Sequence, residues 1–164
     1  MYDVKYGLIR GTEQGFDVVV AAGQTILAAS SKFVKRTGEG TGTVTMATVA
    51  DTNIMGHLEM EAVPNSVNTG STLGTEVRKC IVDSGAIFRV PILSGTYVVT
   101  MKGKRFDLAI AGGTGSKANV QGITLSTYGY GQLVVVGGDL DDQQFCDVQV
   151  YQPMQNISIT TAGL

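Results

Sequence analysis

The chain has no tryptophan, a single histidine, two cysteines and three prolines in 164 residues, and only 16% of it is charged. Each shortage excludes something. One histidine cannot build a typical zinc site without cysteines close by, and Cys80 and Cys146 lie far apart with no CxxC spacing. No run reaches about 18 apolar residues, which excludes a membrane-spanning helix. The start, Met1-Tyr2-Asp3-Val4-Lys5, lacks a basic stretch followed by an apolar one, so no secretory signal is expected and the two thiols are expected free and buried. The formal net charge of -2 leaves nothing to draw the whole molecule to nucleic acid or acidic lipid. So few charges imply a surface partly covered by a partner or kept soluble by neutral Thr, Ser and Asn. Low charge together with many β-branched residues also excludes the disordered class.

What the chain has instead is glycine, 22 residues of it, with abundant Thr and Val. β-branched side chains suit a pleated surface and glycine suits tight turns. The last hairpin shows the pattern best. Val134, Val135 and Val136 enter the turn Gly137-Gly138-Asp139-Leu140-Asp141-Asp142, and the chain returns with Cys146, Val148 and Val150 on one face and Asp147 and Gln149 on the other. That alternation marks a half-buried antiparallel strand.

Similar runs fill the rest. Strands are expected over Phe16–Ala22, Thr43–Val49, Ile54–Val63, Glu76–Val82, Ala86–Leu93 and Ala118–Thr127, with His57 on the face of Glu59 and Glu61. Thr96–Met101 and Arg105–Ala111 read as a hairpin that turns at Lys102-Gly103-Lys104, with Tyr97, Val99 and Met101 meeting Phe106, Leu108 and Ile110 on the core side. Pro91 marks an edge position. Gln24–Thr37 has helical spacing with Gly38 at its end, but Ser30-Ser31 and its β-branched residues favour a turn followed by a strand around Lys32–Arg36 equally. Asn65–Thr75 is a polar loop or hinge. No fixed-period repeat is evident. The expectation is one all-β domain over 1–164, an antiparallel sandwich or barrel with extended N- and C-terminal segments (1–15 and 154–164) and at most one short helix.

No constellation points to a reaction. Ala111-Gly112-Gly113-Thr114-Gly115-Ser116-Lys117 departs from a phosphate loop, because Ser116 separates glycine from lysine and no helix follows. The aspartates of the last turn fail the calcium-loop spacing at Gln143 and Gln144. His57 has no Gly-x-Ser-x-Gly partner. No catalytic residue, cofactor or metal ligand is therefore assigned. Lys102, Lys104 and Arg105 form the densest basic cluster, which reads as a solvated hairpin end ahead of a salt-bridging patch for an acidic protein, with nucleic acid last because only Phe106 and Tyr97 flank it. Tyr2, Tyr6 and Leu8 at one terminus and Ile157 and Ile159 at the other are interface candidates, because apolar residues in terminal arms need covering. The Ile157–Ile159 stretch either docks as a last strand or swaps onto a neighbour.

Two blocks resemble the head-decoration (capsid cement) proteins of tailed bacteriophages. The first is Ala22-Gly23-Gln24-Thr25-Ile26, Phe33-Val34-Lys35, Val49-Ala50-Asp51 and Ile54-Met55-Gly56-His57-Leu58-Glu59; the second is Gly74-Thr75-Glu76-Val77 and Ile87-Phe88-Arg89-Val90-Pro91. The match covers roughly residues 16 to 93. The resemblance implies a structural, non-enzymatic virion protein, made in the host cytoplasm and placed on the outer capsid surface. Its partners would be the major capsid protein and further copies of itself, a trimer rather than a dimer, with neither nucleic acid nor membrane involved. Strand or arm addition across subunit borders would supply the affinity. The competing expectation is a receptor- or glycan-binding module of a tail or spike, with Tyr128 and Tyr130 as its aromatic platform.

Overall fold

A computed structural model describes residues 6–27, 30–38, 43–59, 67–69, 76–112, 119–128 and 131–151. The protein is all-β. Its strands are β1 (Gly7–Arg10), β2 (Gly15–Val20), β3 (Thr25–Leu27), β4 (Phe33–Arg36), β5 (Thr43–Met46), β6 (Gly56–Leu58), β7 (Val67–Thr69), β8 (Glu76–Ile81), β9 (Ile87–Ser94), β10 (Arg105–Ile110), β11 (Gln121–Tyr128), β12 (Leu133–Gly138) and β13 (Phe145–Val150). One 3-10 turn, Val99–Met101, is the sole helical element among the described residues.

These strands make two barrels. β2, β5, β4, β6 and β8 close into a ring. A second sheet runs β1-β9-β11-β10-β12-β13, and β13 pairs back onto β9, which closes its last five strands into another ring. β3 and β7 form a separate two-stranded ribbon. Closure removes most sheet edges, which an isolated sheet would have to protect.

The two rings are wired identically. In each, the first strand pairs in parallel with the third, and all other neighbours are antiparallel. The registers agree as well. Around the first ring Val20 pairs with Val44, Val44 with Arg36, Phe33 with His57, Leu58 with Cys80, and Cys80 with Phe16. Around the second, Ile92 pairs with Ile123, Ile123 with Leu108, Arg105 with Val134, Val135 with Val148, and Val148 with Phe88. The chain is thus an internal duplication. A trace survives in sequence: Phe16, Val18, Val20 and Gly23 recur 72 positions on as Phe88, Val90, Ile92 and Gly95. Both glycines hold a positive φ, 74° and 84°, so both first strands leave through a left-handed turn.

Packing follows the alternation. β13 buries Cys146, Val148 and Val150 and leaves the residues between them half-buried. Val18, Val20, Val34, Val44, Met46, Leu58 and Cys80 fill the first barrel. The second core continues across the seam: Phe88, Val90, Phe106, Leu108, Ile123, Leu133 and Val148 pack together with Phe33, Ala47, Ile54 and Ile81 of the first barrel.

Several expectations are corrected. Of the two readings of Gln24–Thr37 the helix fails and the turn followed by a strand around Lys32–Arg36 holds: β4 lies there because Val34 and Arg36 pair with β5 and Phe33 with β6. Thr96–Met101 is not a strand. The backbone N–H of Tyr97 donates to the Gln143 side chain at 2.6 Å, and the chain then coils into the 3-10 turn. Tyr97 is buried as expected, whereas Val99 and Ile110 are exposed. Pro91 does not mark an edge strand. β9 is paired by β1, β11 and β13, and Pro91 stands where the β13 ladder ends, so its missing N–H interrupts nothing. His57 does not share a solvent face with Glu59; it is buried.

Candidate functional site

Two glutamines bind the barrels to each other. Gln121 opens β11 and is fully buried; its Oε1 accepts the Phe33 N–H at 2.8 Å and the Ser31 hydroxyl at 3.0 Å, while its Nε2 donates to the carbonyls of Phe33 at 2.8 Å and Ala47 at 2.9 Å. Gln132, one residue before β12, accepts the Leu108 N–H and donates to the carbonyls of Thr48, Val49 and Asp51. Asp51 in turn holds the Thr48 N–H at 2.7 Å and pairs with Lys35. Side chains from the second barrel thus bond backbone groups of the first, among them the Phe33 N–H, and add a second bond to the Phe33 carbonyl, which already accepts the Ala47 N–H. Burial would penalise such groups if left unpaired.

An aromatic contact completes the seam. The His57 ring stacks on Phe88 at 4.8 Å and meets Phe33 edge-on at 4.9 Å. Its Nε2 accepts the Lys32 N–H at 3.0 Å, so the ring is neutral with its proton on Nδ1. Burial, then the Lys32 charge, push its pKa down to about 3. Lys32 is 1% exposed, and among the described residues its ammonium has one partner, the Ser30 carbonyl at 2.9 Å. Burial lowers its pKa to about 8.

The surface feature that stands out is a strand edge. In the second barrel β1 lies along the first half of β9, with Gly7 opposite Arg89, Leu8 opposite Phe88 and Arg10 beside Ile87, while β11 takes the second half. Leu8 packs on the core there, and Phe88 is 2% exposed. In the first barrel β5 pairs only with Val19 and Val20, and beside Gly15, Phe16 and Asp17 the matching slot holds no strand among the described residues. Phe16, the counterpart of Phe88, is 37% exposed. The far side of that stretch is occupied, since Gly15 to Val20 pair with β8. Among the described residues, one barrel therefore carries a filled strand slot and its duplicate an open one lined by an aromatic ring.

The expected interface residues scatter. Leu8 and Tyr6 flank the filled slot, both half-buried; burial raises the Tyr6 pKa, with Arg89 opposing. Part of the N-terminal segment is therefore an ordinary strand. Lys102 and Lys104 are exposed after the 3-10 turn, but Arg105 leaves their cluster: its guanidinium lies over the Tyr151 ring at 3.6 Å and its Nε donates to the Gly131 carbonyl. Val98 and Val99 beside them, and Leu140 at the last turn, are exposed apolar residues. Tyr2, Ile157, Ile159 and Tyr130 lie outside the described residues, as does the side chain of Tyr128. The Asp139 carboxylate is spent on its own turn, accepting the N–H groups of Gln144, Asp142 and Asp141, which hold its pKa down. Among the described residues no three His, Cys, Asp or Glu cluster as a metal site.

The sequence reading missed Phe16, Gln121 and Gln132. Only the recurrence of Phe-x-Val-x-Val/Ile-x-x-Gly pointed to the first, and nothing local distinguished the glutamines. No family model matches the chain, and no curated protein matches it.

Proposed function

We propose that this is a structural virion protein that binds the outer surface of an assembled phage capsid and stabilises the shell across capsid-subunit borders, with the resemblance described above as its starting point. The observation that carries the reading is the open edge at Gly15–Asp17. A short extended segment of a neighbouring molecule in the shell can add there by main-chain hydrogen bonds while an apolar side chain covers Phe16, the chemistry of strand addition that would tie one shell molecule to the next across subunit borders. Two barrels locked by Gln121 and Gln132 give such an edge a stiff mount. A scaffold held by neutral hydrogen bonds and apolar packing also suits a protein whose work is mechanical.

Purified protein mixed with undecorated capsids and imaged by cryo-electron microscopy tests this reading. Regularly spaced density at stoichiometric occupancy is expected. Capsids that stay bare at saturating protein would overturn it.

A further inference from the structure

The duplication states what the open slot takes. In the filled slot the guest is an extended strand, antiparallel to its host, which enters beside Arg89 and leaves beside Ile87 with an apolar residue opposite the phenylalanine. Transferred to the first barrel, the guest enters beside Asp17, leaves beside Gly15 and sets an apolar side chain opposite Phe16.

Of the alternating stretches outside the described residues, Tyr2-Asp3-Val4-Lys5 runs straight into β1 of the filled slot and Met60-Glu61-Ala62 follows closely on β6, which leaves one near the far end of the sequence. Asn156-Ile157-Ser158-Ile159-Thr160 alternates apolar and small polar residues, so both isoleucines fall on one face of an extended strand. It lies within the last 13 residues, 152–164, which reach about 43 Å when extended.

The exit point decides whose tail it is. β13 ends beside the start of β9: Val148 pairs with Phe88, and the Gln149 side chain reaches the Gly85 carbonyl at 3.1 Å. That linker lies against the run into β2, with the Val82 N–H donating to the Gln14 carbonyl and Asp83 accepting from Thr12. The chain's own tail therefore departs from the Gly15 end of the slot, where an antiparallel guest leaves rather than enters. A tail arriving from another molecule meets no such reversal.

We propose that the open edge Gly15–Asp17 receives residues 156–160 of a second copy of this chain as an antiparallel strand, with Ile157 or Ile159 over Phe16. Each copy then gives one strand and accepts one. Such a head-to-tail contact closes into a ring if its rotation allows, and a ring of three would give the trimer expected of a decoration protein. The slot and the tail make this proposal independently of any capsid, and only its use on a shell rests on the reading above.

Cysteine cross-linking in full-length protein tests it. One preparation carries Phe16→Cys and another carries both Ile157→Cys and Ile159→Cys; the two are mixed, oxidised and run on non-reducing gels. A disulfide-linked species of twice the chain mass, formed only in the mixture, is expected. Light scattering should show a self-associating native chain, weakened about tenfold by Phe16→Asp and retained by Phe16→Leu. Circular dichroism confirms that each variant is folded. A native chain that stays monomeric at high concentration, or a Phe16→Cys/Ile157→Cys/Ile159→Cys chain that cross-links only within itself, overturns the proposal. A monomer that still decorates capsids would sink the strand exchange and leave the capsid reading standing. An oligomer that ignores capsids would do the reverse.

Discussion

Phe16 and Phe88 hold the same register position in two identically wired barrels, yet Phe16 is 37% exposed and Phe88 2%. Phe88 has Leu8 of β1 alongside it and the His57 and Phe33 rings against it. Phe16 has neither a neighbouring strand on that side nor a ring contact among the described residues.

Truncating the two rings should therefore have unequal effects. Phe88→Ala is expected to lower stability by about 3–5 kcal/mol, the usual range for a buried ring, and Phe16→Ala by less than about 1 kcal/mol in the isolated chain. Urea denaturation of both variants measures this, and similar losses would show that the barrels are not asymmetric in the way described.

Gln121→Leu keeps roughly the volume but removes four bonds at the seam, leaving the Phe33 N–H and the Phe33 and Ala47 carbonyls without their side-chain partner. The Phe33 carbonyl keeps the Ala47 N–H, so two groups are orphaned and a loss of about 2–6 kcal/mol is expected, since each buried unsatisfied group costs about 1–3 kcal/mol. Gln149→Ala, which removes a single exposed bond to Gly85, should cost under about 1 kcal/mol. Equal denaturation midpoints for the two variants would refute the stitching role.

Acid should loosen the seam. His57 has a folded pKa of about 3 against an ordinary 6.5, so the unfolded chain binds a proton that the folded chain refuses. Its contribution is complete above pH 6.5 and is lost as pH falls from there towards 3, by at most about 5 kcal/mol. The carboxylates of Asp83 and Asp139, held below the ordinary 3.8 by backbone hydrogen bonds, act lower, so the fall between pH 6 and 4 belongs to the histidine. Stability measured against pH should flatten in that interval in His57→Gln, and an unchanged slope would count against it.

Lys32 works in the opposite half of the pH scale. Its folded pKa is about 8 against an ordinary 10.5, so the folded chain sheds its proton first and Lys32 adds stability as pH climbs from 8 to about 9. Above that the unfolded chain also loses the protons of Cys80 and Cys146, which the folded chain keeps to about 12, and the net stability falls. At neutral pH the buried ammonium is a net cost. Lys32→Met is expected to stabilise the protein at pH 7 by about 1–3 kcal/mol. A melting temperature that drops in this variant would show that the ammonium has a stabilising role.

The thiols should be silent in the native protein. Cys80 and Cys146 are free, fully buried, and pushed up to about 12 by burial, with Asp147 adding to the second. A thiol reagent such as Ellman's should titrate none in buffer and two in guanidinium; rapid labelling of native protein would contradict the packing.

The sequence by itself determined that the chain is all-β, because alternation along stretches such as Cys146-Val148-Val150 depends only on which residues sit two apart. It also placed the turns, where glycine and aspartate permit backbone that other residues resist. It left sandwich and barrel both open and did not show that there are two closed rings, because pairing partners such as Phe33 and His57 are set by contacts across the chain, and the two copies share little beyond Phe-x-Val-x-Val/Ile-x-x-Gly. Nor did it single out Gln121, whose side chain matters only because Phe33 and Ala47 lie against it. Apolar character near a chain end, the one local signal for Tyr2, Tyr6, Leu8, Ile157 and Ile159, carries no information about which neighbour covers them. Phe16, which the alternation assigns to a core face, lies open for a tertiary reason: among the described residues its barrel shows no strand where the other barrel has β1.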